Sequence, residues 1–320
     1  MFIPCISAFG ISLAIVLITM PLLIRFLHKI NYNQAVSEYS LQQYKEKQKT
    51  PTMGGILFVL TPVAVTLLMY PGTLGDLQVM IVMLAYVGYG LIGFLDDYII
   101  VIRQDNEGLR PRTKFLLQLL LAVVFFLMYR QDATTDIIIP FFETVIPLGG
   151  VYMLLVFFMF TGTSNAVNLT DGMDGLAAGT SFLAFAPFVL FALQQQKLVI
   201  AVFLMAVMGA LLGFLRYNVH PAKIFMGDTG SLALGGALAA VSMVLKQEIA
   251  LMVIGGVFVW ETLCVIIQIS SVKLRGKRVF RYTPIHYSFV IGGMRETQVV
   301  LMFWILGLIC TAAGFLIGVI

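Results

Sequence analysis

Four stretches of the chain gather side chains that can do chemistry. Asp96 and Asp97 stand side by side at the end of an apolar run. Adjacent carboxylates repel each other, and at a helix C-terminus each opposes the macrodipole by about 0.3 to 1 kcal/mol. A compensating cation is therefore expected beside them, either Mg²⁺ or a basic side chain. The segment Asn165-Ala-Val-Asn168-Leu-Thr-Asp171-Gly-Met-Asp174-Gly175 offers two carboxylates and two amides, donors and acceptors suited to a sugar or a nucleobase. For Asp174 the plain alternative is a helix N-cap. In Asn218-Val-His220-Pro-Ala-Lys223-Ile-Phe225-Met-Gly227-Asp228-Thr-Gly230 an Asp flanked by Gly precedes an apolar helix. Such an Asp can bind Mg²⁺ while the helix N-terminal amides donate to phosphate oxygens. The basic run Lys273 to Arg281 leads into Pro284-Ile-His286, where topology or lipid headgroups alone would explain the basic charge. Carboxylates, amides and cations together suit phosphoryl transfer, in which a protein positions reactants and neutralises developing charge.

The elements that must position these groups follow from composition. Of 320 residues 60% are hydrophobic and 11% charged, with mean hydropathy +0.97. A soluble domain carries about 25% charge, so a soluble globule is excluded. The apolar runs are continuous rather than alternating, which excludes a transmembrane β-barrel. Ten candidate spans remain: Ile3 to Leu27, Met53 to Tyr70, Leu77 to Leu95, Phe115 to Tyr129, Leu148 to Phe160, Ala177 to Leu193, Leu198 to Leu215, Ser231 to Leu245, Ile249 to Ile269 and Val299 to Ile320. The class is an all-α polytopic membrane protein of about ten transmembrane helices, read as one membrane domain over residues 1–320.

Seventeen of the 20 Lys and Arg residues fall in one set of loops, and only Arg130, Lys197 and Lys246 in the other. The positive-inside rule then puts the basic loops, with all four stretches, in the cytoplasm and both termini outside. The apolar N-terminus runs past any plausible cleavage point and reads as the first span rather than a signal peptide. The longest outer loop, Gln131 to Pro147, has β-branched residues at Ile137 to Ile139 and Thr144 to Ile146, expected to form a small external hairpin. Cys5, Cys264 and Cys310 show no paired spacing for a disulfide or zinc site. Gly88-Tyr-Gly90-Leu-Ile-Gly93 mimics a dinucleotide fingerprint but lies inside a span, where it reads as helix packing, as does Gly209-Ala-Leu-Leu-Gly213. Glu261, at membrane depth, is expected to face the bundle interior and make a structural interhelical bond.

Thr50-Pro-Thr-Met-Gly-Gly55, Gly93-Phe-Leu-Asp96-Asp97-Tyr98, Asn165 to Gly175, Pro221 to Gly236 and Pro284-Ile-His286 resemble, in order and over nearly the whole chain, the polyprenyl-phosphate N-acetylhexosamine-1-phosphate transferase family. The wording at Thr170-Asp171 and Pro284-Ile-His286 favours its muramoyl branch over siblings that use UDP-GlcNAc. The resemblance implies transfer of phospho-MurNAc-pentapeptide from UDP-MurNAc-pentapeptide to undecaprenyl phosphate with Mg²⁺, at the cytoplasmic face of a bacterial inner membrane. Membrane lipid is a further implied partner, a homodimer a candidate assembly, and nucleic acid no partner. It further implies Asp228 as the Mg²⁺ ligand, Asp97 as base and Asp96 near metal or phosphate. Asn168, Asp171, Asp174, Asn218 and Phe225 would line the nucleotide and sugar-phosphate site, with Lys45, Lys114 and His286 meeting phosphates. Two features depart from the family pattern: Ile100 replaces a frequent Lys, and a triple histidine is reduced to His286-Tyr287-Ser288. A transporter is the alternative of another class, but the charges crowd one face and no halves repeat.

Overall fold

The computed structural model describes residues 2–29, 50–103, 107–139 and 144–319. In hydrocarbon every backbone polar group must be satisfied within its own segment, and the apolar runs accordingly coil into helices. These are α1 (Phe2–Lys29), α2 (Gly55–Met69), α3 (Leu77–Arg103), α4 (Pro111–Tyr129), α5 (Tyr152–Thr170), α6 (Leu176–Gln194), α7 (Leu198–Asn218), α8 (Gly227–Val244), α9 (Glu248–Ile254), α10 (Gly256–Arg275), α11 (Ile285–Ile291) and α12 (Glu296–Val319). Eight are long and apolar enough to cross a membrane: α1, α3, α4, α5 with its preceding turn, α6, α7, α10 and α12. The 15-residue apolar α2 and the 18-residue α8 occupy the other two expected positions but fall short of that combined length and apolarity.

Helix α8 is the axis. Every residue from Thr229 to Val244 is buried, packed mainly by α3 and α5. Its small residues permit this. A side chain at Gly235 would come 2.4 Å from Ser164 Cα of α5, and one at Gly93 of α3 would lie 2.0 Å from the Asp228 carbonyl oxygen. The small-residue motif of the third span is thus a helix contact, as is Gly209, where a side chain would meet the Phe9 carbonyl of α1 at 2.1 Å. The outer helix α10 buries only the stripe Val257, Phe258, Glu261, Cys264 and Gln268, the narrow inward face of a helix at the edge of a bundle. Strands β1 (Asp136–Ile139) and β2 (Thr144–Pro147) form the expected hairpin, antiparallel with Ile137 opposite Ile146.

Several element boundaries differ from the sequence expectation. No Gly or Pro follows Leu95 before Arg103, so α3 runs on and Asp96 and Asp97 lie inside it rather than closing it. Likewise α5 continues to Thr170, so Asn165 and Asn168 sit on its last turns and only Asp171 to Gly175 is a turn. The ninth span is broken at Gly255 into α9 and α10.

Candidate active site

Four helix ends meet at one end of the bundle. Asp228 stands in the first turn of α8, and its carboxylate accepts from Asn168 Nδ2 of α5 at 2.6 Å and from Lys114 Nζ of α4. The Lys114 ammonium also lies 3.7 Å from Asp96 Oδ1 of α3, so it is clamped between two carboxylates. Asp96 additionally accepts the Leu109 N–H at 3.0 Å, which fixes the entry to α4. The side chains of Asp228 and Lys114 are 24% and 17% exposed, so the pair borders solvent. The compensating cation expected beside the Asp pair is thus a lysine in this structure.

Asp97 is placed differently. It accepts the Asp228 N–H at 3.0 Å, the Thr229 N–H at 2.9 Å and the Thr229 hydroxyl at 2.6 Å. Its carboxylate therefore occupies the N-terminus of α8, where the orphan amides and the macrodipole favour negative charge. The Thr50 to Gly55 motif closes the same end, with Gly54 N–H donating to the Phe225 carbonyl at 2.8 Å and Phe225 N–H to the Pro51 carbonyl at 2.9 Å.

The turn Asp171 to Gly175 continues from Asn168 and joins two further groups. Asp171 lies half-buried one turn beyond Asn168. Asp174 does not cap α6. Its buried carboxylate accepts from the Ala222 N–H at 3.1 Å and pairs with His220 Nδ1 at 2.9 Å, while its own N–H donates to Glu296 Oε1 at 2.9 Å. Asn218 spends both ends of its amide on backbone, accepting from Gly175 N–H at 3.0 Å and donating to the Ile224 carbonyl at 2.9 Å. Phe225 stays half-buried.

The third group centres on His286, which is fully buried. The Glu261 carboxylate accepts from Ile285 N–H at 2.8 Å and holds His286 Nδ1 at 3.0 Å, so the intramembrane glutamate makes the expected interhelical bond. Nε2 has no partner among the described residues and points at Gly172, where a side chain would meet it at 2.2 Å. Tyr287 donates its hydroxyl to the Gly172 carbonyl at 3.0 Å. Burial pushes that phenol well above its ordinary pKa, which keeps it a donor. Ser288 bonds Tyr282 on both N–H and carbonyl. The residues replacing the two later histidines therefore fasten the segment.

The structure thus gathers Asp96, Asp97, Lys114, Asn168 and Asp228 into one contact network and links Asp171, Asp174, Asn218 and His286 to it through one turn. Lys45 lies outside the described residues. Sequence reasoning missed Thr229 and Ser231, whose hydroxyls bond Asp97 and Asn168 Nδ2, and the His220 and Glu296 partners of Asp174. The first two were signalled by polar residues following Asp228 at the start of a helix. The latter carried no local signal.

Fold and site define a polytopic membrane protein with a lysine-clamped acidic cluster at one end of its helices. The family model described as glycosyl transferase family 4 matches residues 79–246, and the phospho-N-acetylmuramoyl-pentapeptide-transferase signature 1 matches residues 47–59. A phospho-N-acetylmuramoyl-pentapeptide-transferase of Geobacillus kaustophilus is 46% identical over 316 residues, 98% of each chain. One of Bacillus mycoides is 47% identical over 313 residues, 97% of this chain and 96% of that protein. The chain belongs to the phospho-N-acetylmuramoyl-pentapeptide-transferases of glycosyl transferase family 4.

Proposed function

We propose that the chain transfers phospho-MurNAc-pentapeptide from UDP-MurNAc-pentapeptide to undecaprenyl phosphate, releasing UMP and the first lipid-linked intermediate of peptidoglycan synthesis. The reading is carried by the convergence of Asp96, Lys114, Asn168 and Asp228 from four helices at one end of an apolar bundle. A reaction between a soluble nucleotide and a lipid phosphate needs charged groups at the membrane surface with apolar walls beside them. An oxygen of the lipid phosphate attacks the sugar-bearing phosphorus, and the bridging bond to UMP breaks. A phosphate monoester has a second pKa of about 6, so the acceptor is largely dianionic at neutral pH. Alignment and charge neutralisation then matter more than proton removal.

Lys114 meets the phosphate oxygens, and Asn168 holds Asp228 in place. Asp97 anchors the start of α8 through its three hydrogen bonds rather than acting as base, and Asp96 is the second carboxylate, beside Asp228, that faces Lys114. Asp171 and Phe225 border the nucleotide, Asp174 and Asn218 brace the loops that carry them, and His286 presents Nε2 beside Gly172. Asp228, Asp96 and the Asn168 carbonyl are hard oxygen donors of the kind Mg²⁺ prefers, and the Lys114 ammonium between the carboxylates marks a spot that favours positive charge. When bound, Mg²⁺ neutralises pyrophosphate charge. Asp174, His220 and Glu296 also lie within 4.8 Å of one another, but an imidazole ligand suits a transition metal better than Mg²⁺. The basic loops support a cytoplasmic site in the bacterial inner membrane, within one membrane domain.

Release of UMP from UDP-MurNAc-pentapeptide in the presence of undecaprenyl phosphate, lost in EDTA and restored by Mg²⁺, is the expected result. Release from UDP-GlcNAc alone would transfer the chain to the sibling activity, and EDTA-resistant turnover would remove the metal.

A further inference from the structure

The connection between α10 and α11 carries a concentration of charge that none of the roles above uses. Lys273 and Arg275 in the last turn of α10, then Lys277, Arg278 and Arg281 beyond it, are all exposed. None of the five has an ion-pair partner among the described residues. Orientation in a membrane needs such charges only on the correct side, and a loop without a fixed course would serve. This loop is held. Gln268, buried on the inner stripe of α10, spends both ends of its amide on it: Oε1 accepts from Val279 N–H at 2.9 Å and Phe280 N–H at 3.0 Å, and Nε2 donates to the Phe280 carbonyl at 3.1 Å. Ser271 Oγ donates to the Lys277 carbonyl at 2.9 Å, and Phe280 packs against the apolar cluster shared by α10, α11 and α12. Arg278 and Arg281 flank the clipped pair Val279 and Phe280, so their backbone is already ordered and less freedom is lost when they bind.

The loop leads to the site. Arg281 precedes Tyr282, whose ring meets Tyr287 edge-on at 5.5 Å, and Tyr287 donates to the Gly172 carbonyl at 3.0 Å. The cations are therefore fastened, through one aromatic pair, to the turn that carries Asp171 and Asp174. A group they bind would extend outward from a substrate seated at that turn. Guanidinium groups pair with carboxylates through two parallel hydrogen bonds. The nucleotide substrate proposed above supplies one: muramic acid is joined to its peptide through a lactyl carboxyl, so the stem hangs from the sugar by its amino end and finishes in a free carboxylate.

We propose that this loop is the arm that receives the peptide stem, with Arg278 and Arg281 taking its terminal carboxylate, an inference that rests on the proposed reaction. The full-length chain, in neutral detergent micelles free of anionic lipid, is assayed for UMP release with UDP-MurNAc-pentapeptide and with the same nucleotide ending in a carboxamide. Amidation should raise the KM of the native chain roughly tenfold, the lower end of what a hydrogen bond to a charged group contributes, with kcat within about twofold. A variant carrying Arg278→Gln and Arg281→Gln should show the same rise with the carboxylate and no further rise with the amide. An unchanged KM in either arm overturns the proposal. Rises that multiply when both changes are combined also overturn it, because the arginines then act on another part of the nucleotide. A fall in kcat at unchanged KM makes the loop a support for the chemistry, and again the proposal fails. If the variant departs from the native chain only after phosphatidylglycerol is added, the occupant is a lipid headgroup and the stem is not. The native-chain arm needs no variant to fold. Calorimetric binding of the two nucleotides without acceptor reads the same contrast apart from turnover. A carboxylate preference with no UMP release would sink the reaction and keep the arm, whereas turnover without that preference would sink the arm alone.

Discussion

Asp97 and Asp228 touch, yet their surroundings give them opposite duties. Asp97 is enclosed and accepts three bonds from the start of α8, whereas Asp228 turns its carboxylate toward Lys114 and solvent. Hydrogen bonds to a charged group contribute roughly 1.5 to 3 kcal/mol each, so Asp97→Asn should lower stability by about 2 kcal/mol or more along with turnover. Asp228→Asn should abolish UMP release by about 100-fold or more with near-native melting. Thermal unfolding read beside activity decides between them: an Asp97→Asn protein that melts normally but is dead would restore the role of base. The sequence marked both carboxylates as functional, but their different partners appear only in the structure.

The helices meet through backbone contact, and this sets a test at the scale of elements. At Gly93 an added methyl would lie 2.0 Å from the Asp228 carbonyl oxygen, a backbone atom that cannot step aside, whereas at Gly88 the nearest atom is the flexible Leu121 side chain at 3.1 Å. Overpacking a well-packed contact costs about 1 to 3 kcal/mol. Gly93→Ala should therefore destabilise the chain and displace Asp228, with loss of turnover, while Gly88→Ala stays near native in both. Equal melting temperatures for the two variants would show that the α3–α8 contact is looser than drawn. The helical nature of both segments was legible from their apolar runs. Their ends were not, because Asp96, Asn165 and Asn168 look like loop residues on their own. They are tolerated in helices because Lys114, Gln118 and Asp228 answer them from neighbouring helices.

For the whole molecule, the loop charges predict an orientation that labelling can check. In a cysteine-free background, a cysteine at Arg130 should react with a membrane-impermeant maleimide on intact cells and one at Lys273 should not. The reverse pattern would put the acidic cluster outside and exclude the cytoplasmic nucleotide as donor. The ten-span reading needed only hydropathy, because the bilayer acts on each segment independently through its own apolar surface and backbone. By itself the sequence determined the class, the approximate course of the apolar helices, the hairpin and the residue types of the acidic cluster. Which groups meet was decided by tertiary structure alone. Asp97 and Thr229 are 132 positions apart, and Asp174 and Glu296 are 122 apart. The physical reason is that a residue's affinity for lipid or water is its own property, whereas a hydrogen bond between distant residues belongs to a packing geometry that local pattern does not encode.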